Sequence, residues 1–90
     1  MTNELLEHYL KQVVGIDNTI NKLILNGYNN VQFNTLYKRI CDISENLTNT
    51  IHWIELITKD YSRYEDIKIL RDWANSAKLK FAHYHIKRTQ

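Results

Sequence analysis

Ninety residues can enclose one hydrophobic core, so the chain reads as a single domain over residues 1–90, too small for two cores or a large internal substrate cavity. Hydrophobic residues make up 43% and charged residues 24%, ordinary values for a folded chain that exclude wholesale disorder. The net charge of +2 does not by itself imply nucleic acid, but its placement is uneven: residues 1–72 carry all 10 Asp and Glu against 8 Lys and Arg, and residues 73–90 carry Lys78, Lys80, Lys87 and Arg88 with no acid.

Along the chain, apolar residues recur in steps of three and four, the period at which one helix face meets a core. The first such seam is Leu6, Tyr9, Val13, Ile16, Ile20 and Leu23, predicting a helix over 3–26. Gly27 follows it, suited to the left-handed residue that ends a helix. Tyr28-Asn29-Asn30 then reads as a turn, with Asn29 or Asn30 able to cap the next helix by accepting an orphan amide. The second seam runs Phe33, Leu36, Ile40, Ile43, Leu47, Thr50, Ile54, Ile57 and Tyr61, with Thr50 its one polar member, and predicts a helix over 31–59. Its weak point is Asn46-Leu47-Thr48-Asn49-Thr50, where residues of low helix propensity cluster; a kink at 46–50 would give four helices. Ser62-Arg63-Tyr64-Glu65 has capping-box spacing and places the third helix over 63–88, with a seam of Ile67, Leu70, Ala74, Ala77, Phe81 and Tyr84. Lys87 and Arg88 close that helix favourably, because cations offset the partial negative charge of its last carbonyls. Long helices joined by two short turns predict an all-α, antiparallel up-down-up three-helix bundle.

The chemistry-bearing residues form no catalytic pattern. Glu4 with His8 and His52 with Glu55 have the helical spacing of metal-ligand pairs, but no seam position holds a carboxylate or histidine, so surface hydrogen bonding is the preferred reading and no metal is expected. Cys41 falls mid-helix, one position off the seam, as a structural thiol rather than a nucleophile on a strained turn. Gly15 and Gly27 are isolated, so no glycine-rich loop cradles phosphates, and neither a cofactor nor an enzymatic activity is expected. A single cysteine, a start at Met1-Thr2-Asn3-Glu4 without a basic and apolar leader, and no apolar run of about 18 residues point to a reduced, cytoplasmic protein that does not enter membranes.

Apolar surface outside the seams is what folding explains least. Ile69, Leu79 and Ile86 recur away from the core stripe of the third helix, Trp53 and Trp73 lie one position off their seams, and Leu25 and Leu56 lie well outside theirs. Ile and Leu beside aromatic and charged residues have the chemistry of a protein-binding face, so the expected partner is another protein, or a second copy in a dimer. The Asn-, Ile-, Lys- and Tyr-rich composition is that of an AT-rich genome. Together these suit a non-enzymatic regulator, adaptor or inhibitor from a phage or mobile element of a low-GC bacterium, with a host defence complex among its candidate targets. The alternative is a nucleic-acid-binding bundle that uses Lys78, Lys80, Lys87 and Arg88, although a helix C-terminus attracts cations without any ligand.

Overall fold

A computed structural model describes residues 3–89, so Met1 and Thr2, which entered the reading of the N-terminus above, lie outside the described residues. Helix α1 spans Asn3–Asn26 and α2 spans Asn30–Trp53; a π-helical turn, Ile54–Thr58, continues α2, and α3 spans Tyr64–Arg88. The bundle measures 45 × 21 × 18 Å. Tyr9 near the start of α1 meets Thr50 near the end of α2, and Tyr84 near the end of α3 reaches the carbonyl of Ile24 near the end of α1, which gives the up-down-up course.

The core is the predicted stripe with few changes. Val13, Ile16 and Ile20 of α1, Leu36, Ile40, Ile43 and Leu47 of α2, and Ile67, Leu70, Ala74, Ala77 and Phe81 of α3 are all buried. Helix α3 lies against both others, and α1 and α2 touch each other least. Ala74 and Ala77 at its middle keep the seam thin and let neighbouring backbones approach. Polar links cross every helix pair: the hydroxyls of Tyr9 and Thr50 are 3.3 Å apart, buried Ser44 donates to the Asn75 side-chain carbonyl, and Asp17 accepts from Trp73 and Lys80. Polar groups of this kind fix register, since a slipped helix would leave them unpaired. Among the described residues, no buried side-chain polar atom lacks a partner.

The helix ends follow the expected chemistry at the first turn and depart from it at the second. Gly27 has φ of 89°, and its amide donates to the Leu23 carbonyl at 2.8 Å. Asn29 forms a full capping box, accepting from the Gln32 amide at 2.8 Å while the Gln32 side chain accepts from the Asn29 amide at 2.9 Å. Ser62 does not cap α3. Its amide instead donates to Asp60 Oδ1 at 3.1 Å, the N-cap position passes to Arg63, and no side chain caps there. Asp60 thus takes the Ser62 amide that Glu65 would have bonded in a capping box, and the helix starts at Tyr64.

Residues 46–50 are unbroken α-helix, so the irregularity expected there occurs further on. Thr48 and Thr50 donate their hydroxyls back to the carbonyls of Ser44 and Asn46, at 3.0 and 2.8 Å, which satisfies these polar side chains inside the helix. Beyond Trp53 the ladder widens: the Lys59 amide donates to the Ile54 carbonyl five residues back, at 2.8 Å, and Lys59 ends the run in the left-handed conformation with φ of 56°. The predicted seam therefore holds as far as Ile54 except at Thr50, and fails at Ile57 and Tyr61. After Leu47 the core continues through Ile51 and Ile54, Thr50 moves to the flank, and the wider turn carries Ile57 outward to 59% exposure and leaves Tyr61 exposed beyond the helix.

This change in the seam is measurable by urea unfolding: Ile51→Ala should lose about 2–5 kcal/mol by opening a cavity, whereas Ile57→Ala should stay within about 0.5 kcal/mol of the parent. The caps give a second contrast. Asn29→Ala should cost about 1 kcal/mol, while Ser62→Ala, which removes no cap, should leave the melting curve in place.

Candidate functional site

Helix direction sorts the exposed apolar side chains. Among the described residues, 12 large hydrophobic side chains are exposed, and 8 of them lie at the end where α1 begins, α2 finishes and α3 begins. Single exposed leucines are ordinary, but a concentration at one end is not.

Two open grooves run down either side of the first turns of α1. Between α1 and α3, Leu6, Leu10, Ile69, Leu70 and Trp73 line a space of about 220 Å³ with Asp66 at its edge. Between α1 and α2, Leu5, Thr50, Trp53, Ile54 and Thr58 line another of about 210 Å³. The sequence makes these grooves because α1 carries Leu5, Leu6, Tyr9 and Leu10 in its first two turns, more apolar width than one seam can bury. Leu6 and Leu10 border α3, while Leu5 and Tyr9 border α2.

Trp73 forms the wall of the α1/α3 groove and is held there from α1. Its indole N–H donates to Asp17 Oδ2 at 3.3 Å, and the same carboxylate accepts from Lys80 Nζ at 2.9 Å through its other oxygen. Lys80 also donates to the Asn21 side-chain carbonyl at 2.7 Å. Asp17 is mostly covered and Lys80 is not, so the ion pair alone contributes little. Its positional effect on the tryptophan is the more important one.

The five residues expected to bind a partner separate into two groups. Ile69 and Trp73 share the α1/α3 groove, and Trp53 stands across α1 at the same end, 57% exposed. Leu79 and Ile86 are also exposed, but at about 100° per residue they point to the outer side of α3, away from both neighbouring helices, and line neither groove. Leu5, Leu6 and Leu10 were not among the expected site residues. The surplus of leucine beside the first seam was the available signal.

The four candidate nucleic-acid contacts also divide. Lys80 is occupied by Asp17 and Asn21, and Arg88 donates to the Tyr28 carbonyl with its guanidinium 4.1 Å from the centre of the Tyr28 ring. Lys78 and Lys80, two residues apart, point about 200° apart around α3, and Lys87 follows the side of Lys80. Tyr28, expected only as a turn residue, is buried: its hydroxyl meets His85 Nδ1 at 3.1 Å, and its ring lies against Phe81. His85 in turn stacks on Phe33 with ring centres 3.7 Å apart. This aromatic knot fills the space between α2 and α3 at the end of the bundle opposite the two grooves, where a further open space of about 290 Å³ lies between α1 and α2, lined by Leu23, Val31 and Leu36 with Arg39 at its edge.

Among the described residues no three His, Cys, Asp or Glu side chains gather where they could hold a metal ion, and His8 and His52 are both exposed. Cys41 is half-buried in α2 beside Tyr37, whose phenol is held above its ordinary pKa first by burial and then by that thiol. Compared with protein-family models, curated proteins and solved structures, the chain has no match in any of the three.

Replacing Asp17 tests the link between the helix pair and the groove wall. Asp17→Ala should lower stability by about 1–2 kcal/mol, chiefly through the two lost charged hydrogen bonds. In a Trp53→Phe background it should also shift the emission of Trp73, which a purely surface role for Asp17 would leave unchanged.

Proposed function

We propose that this protein works by binding another protein through the apolar end of its bundle, as a small regulator, adaptor or inhibitor without catalytic activity. The observation that carries this reading is the pair of grooves flanking the start of α1, with Trp53, Ile69 and Trp73 exposed on the same end. Interfaces draw their energy from a few aromatic and aliphatic anchors that become fully desolvated, inside a rim that keeps water out. Tryptophans beside leucine-lined clefts supply such anchors, and a rigid bundle presents them with little ordering cost.

The composition supports an origin in a phage or mobile element of a low-GC bacterium, and for a protein of that kind a host defence complex is a natural target. A reduced thiol at Cys41 suits the cytoplasm, and among the described residues no helix is long and apolar enough to cross a membrane. The nucleic-acid reading draws on the opposite end. Residues 15–44 and 77–89, which make up that half, hold 7 Lys and Arg against 2 acids. It ranks second because Lys80 and Arg88 already bond within the fold, and the others share no single stripe for phosphates to follow.

Affinity capture from cell extract separates the two. Leu10→Ser with Ile69→Ser should weaken capture by about 1–2 kcal/mol or more while leaving helix content intact, and Leu79→Ser with Ile86→Ser should change it little. Nuclease treatment and Lys78→Gln with Lys87→Gln should have no effect. Capture abolished by nuclease and by the lysine changes, yet indifferent to Leu10 and Ile69, would transfer the function to the basic end.

A further inference from the structure

Resting on the interaction reading above, we infer that the α1/α3 groove receives an amphipathic helix of a partner protein whose apolar stripe is bordered by Lys and Arg. Both the shape of the groove and the charge around it lead there.

The groove lies between two helices that run in the same direction and is floored by Leu6 and Leu70 with Ile69 and Trp73 on its outer side. Packing between helices is a matter of side-chain ridges entering grooves, and a third helix laid along such a furrow turns three helices into four. An apolar stripe repeating at i, i+3, i+4 and i+7 meets both walls at once, which is the usual way an amphipathic helix enters a groove.

Charge selects the border of that stripe. The half of the bundle holding the groove, residues 3–14 and 45–76, carries 8 Asp and Glu against 5 Lys and Arg, a net of −3, whereas the other described residues carry 2 against 7, a net of +5. Asp66 lines the groove itself. By helical spacing Glu65 and Asp72 follow on the outer edge of α3, and Glu7 lies one turn from Leu10 on α1. Two of these carboxylates meet nearby arginines, Asp66 the N-cap Arg63 at 4.0 Å and Asp72 the half-buried Arg71 at 3.2 Å, while both carboxylates stay exposed to a partner's cations. A second copy is the poorer occupant, because a two-fold pair through this end would place net −3 against net −3. A cationic helix instead gains from steering as it approaches and from complementarity once seated.

Two synthetic helical peptides of about five turns serve as probes, sharing one leucine stripe and differing only in Lys or Glu along its borders. Titrated into the Trp53→Phe protein, the Lys-bordered peptide should shift Trp73 emission to the blue in a saturable way. Its affinity should exceed that of the Glu-bordered peptide by about tenfold or more and fall with salt. Leu10→Ser with Ile69→Ser should remove this binding, Glu65→Lys with Asp72→Lys should remove most of the preference, and Leu79→Ser should do neither.

Equal or tighter binding of the Glu-bordered peptide, or a dimer in sedimentation that Ile69→Ser dissolves, would overturn the charged-helix assignment while leaving the apolar end as an interaction surface. Binding of the Lys-bordered peptide that ignores Leu10 and Ile69 would show attraction to the acidic surface alone and overturn the groove as its seat. No Trp73 shift with either peptide at millimolar concentration would overturn docking in this groove, and the wider reading would fall with it if cell-extract capture were equally indifferent to Leu10 and Ile69.

Discussion

Everything in this bundle is laid against one stripe of α3. Ile67, Leu70, Ala74, Ala77 and Phe81 are buried between α1 and α2, and the two alanines allow both partners to come close along the middle of the stripe. Because α1 and α2 contact each other least, most of what holds them together passes through α3. The polar links then choose one register among those the apolar seam would tolerate. Tyr9 with Thr50, Ser44 with Asn75, and Asp17 with Trp73 and Lys80 each join a different pair of helices. Thr50, the one polar residue in its predicted seam, gives its proton to the Asn46 carbonyl and so receives the Tyr9 hydroxyl as an acceptor.

The two ends of the molecule solve the closing of a helical bundle differently. At one end Tyr28 folds back from the first turn onto Phe81 and Phe33, with His85 and Arg88 packed over the rings, so the α2/α3 side of that end is covered by aromatic contacts and a cation over a π face, while its α1/α2 side stays open beside Leu23 and Val31. At the other end no aromatic cap covers the grooves, and the first turns of α1 keep leucines on both flanks. The π turn adds to this exposure by rotating Ile57 out of the core and ending in Lys59, so the finish of α2 contributes apolar surface where an uninterrupted α-helix would have buried it. What distinguishes the second end is that its grooves carry Trp73 and Trp53, anchors that can be desolvated by something else.

Charge follows the same axis. Acidic residues gather with the end that carries the tryptophans and basic ones with the end of the aromatic knot, giving an elongated molecule with opposite charge at its two poles. Part of this is dictated by helix dipoles, since α1 and α3 both begin at the acidic end and α3 finishes with Lys87 and Arg88. The dipole rule does not account for Glu45, Asp72 or Lys38, which lie well inside their helices, so the polarity extends beyond capping.

The sequence by itself determined the number of helices, their direction, Gly27 as the stop of α1, and nearly all of the core, because a stripe repeating every three or four residues puts one face of each helix toward the core. It also marked Ile69, Leu79, Ile86, Trp53 and Trp73 together as lying outside the seams. Three things were decided only by tertiary structure. Asp60 took the Ser62 amide and displaced the cap, a competition between two local hydrogen bonds that spacing cannot rank. The second seam buries Ile51 in place of Thr50 between Leu47 and Ile54, because both are permitted by the period and only the neighbours decide which is buried. Finally, Leu6 and Leu10 joined Ile69 and Trp73 in one groove while Leu79 and Ile86 were left on the far side of α3. A single-helix pattern gives the angle of a side chain around its own axis; which neighbour stands at that angle, and whether it leaves a furrow, depends on how three helices settle against one another.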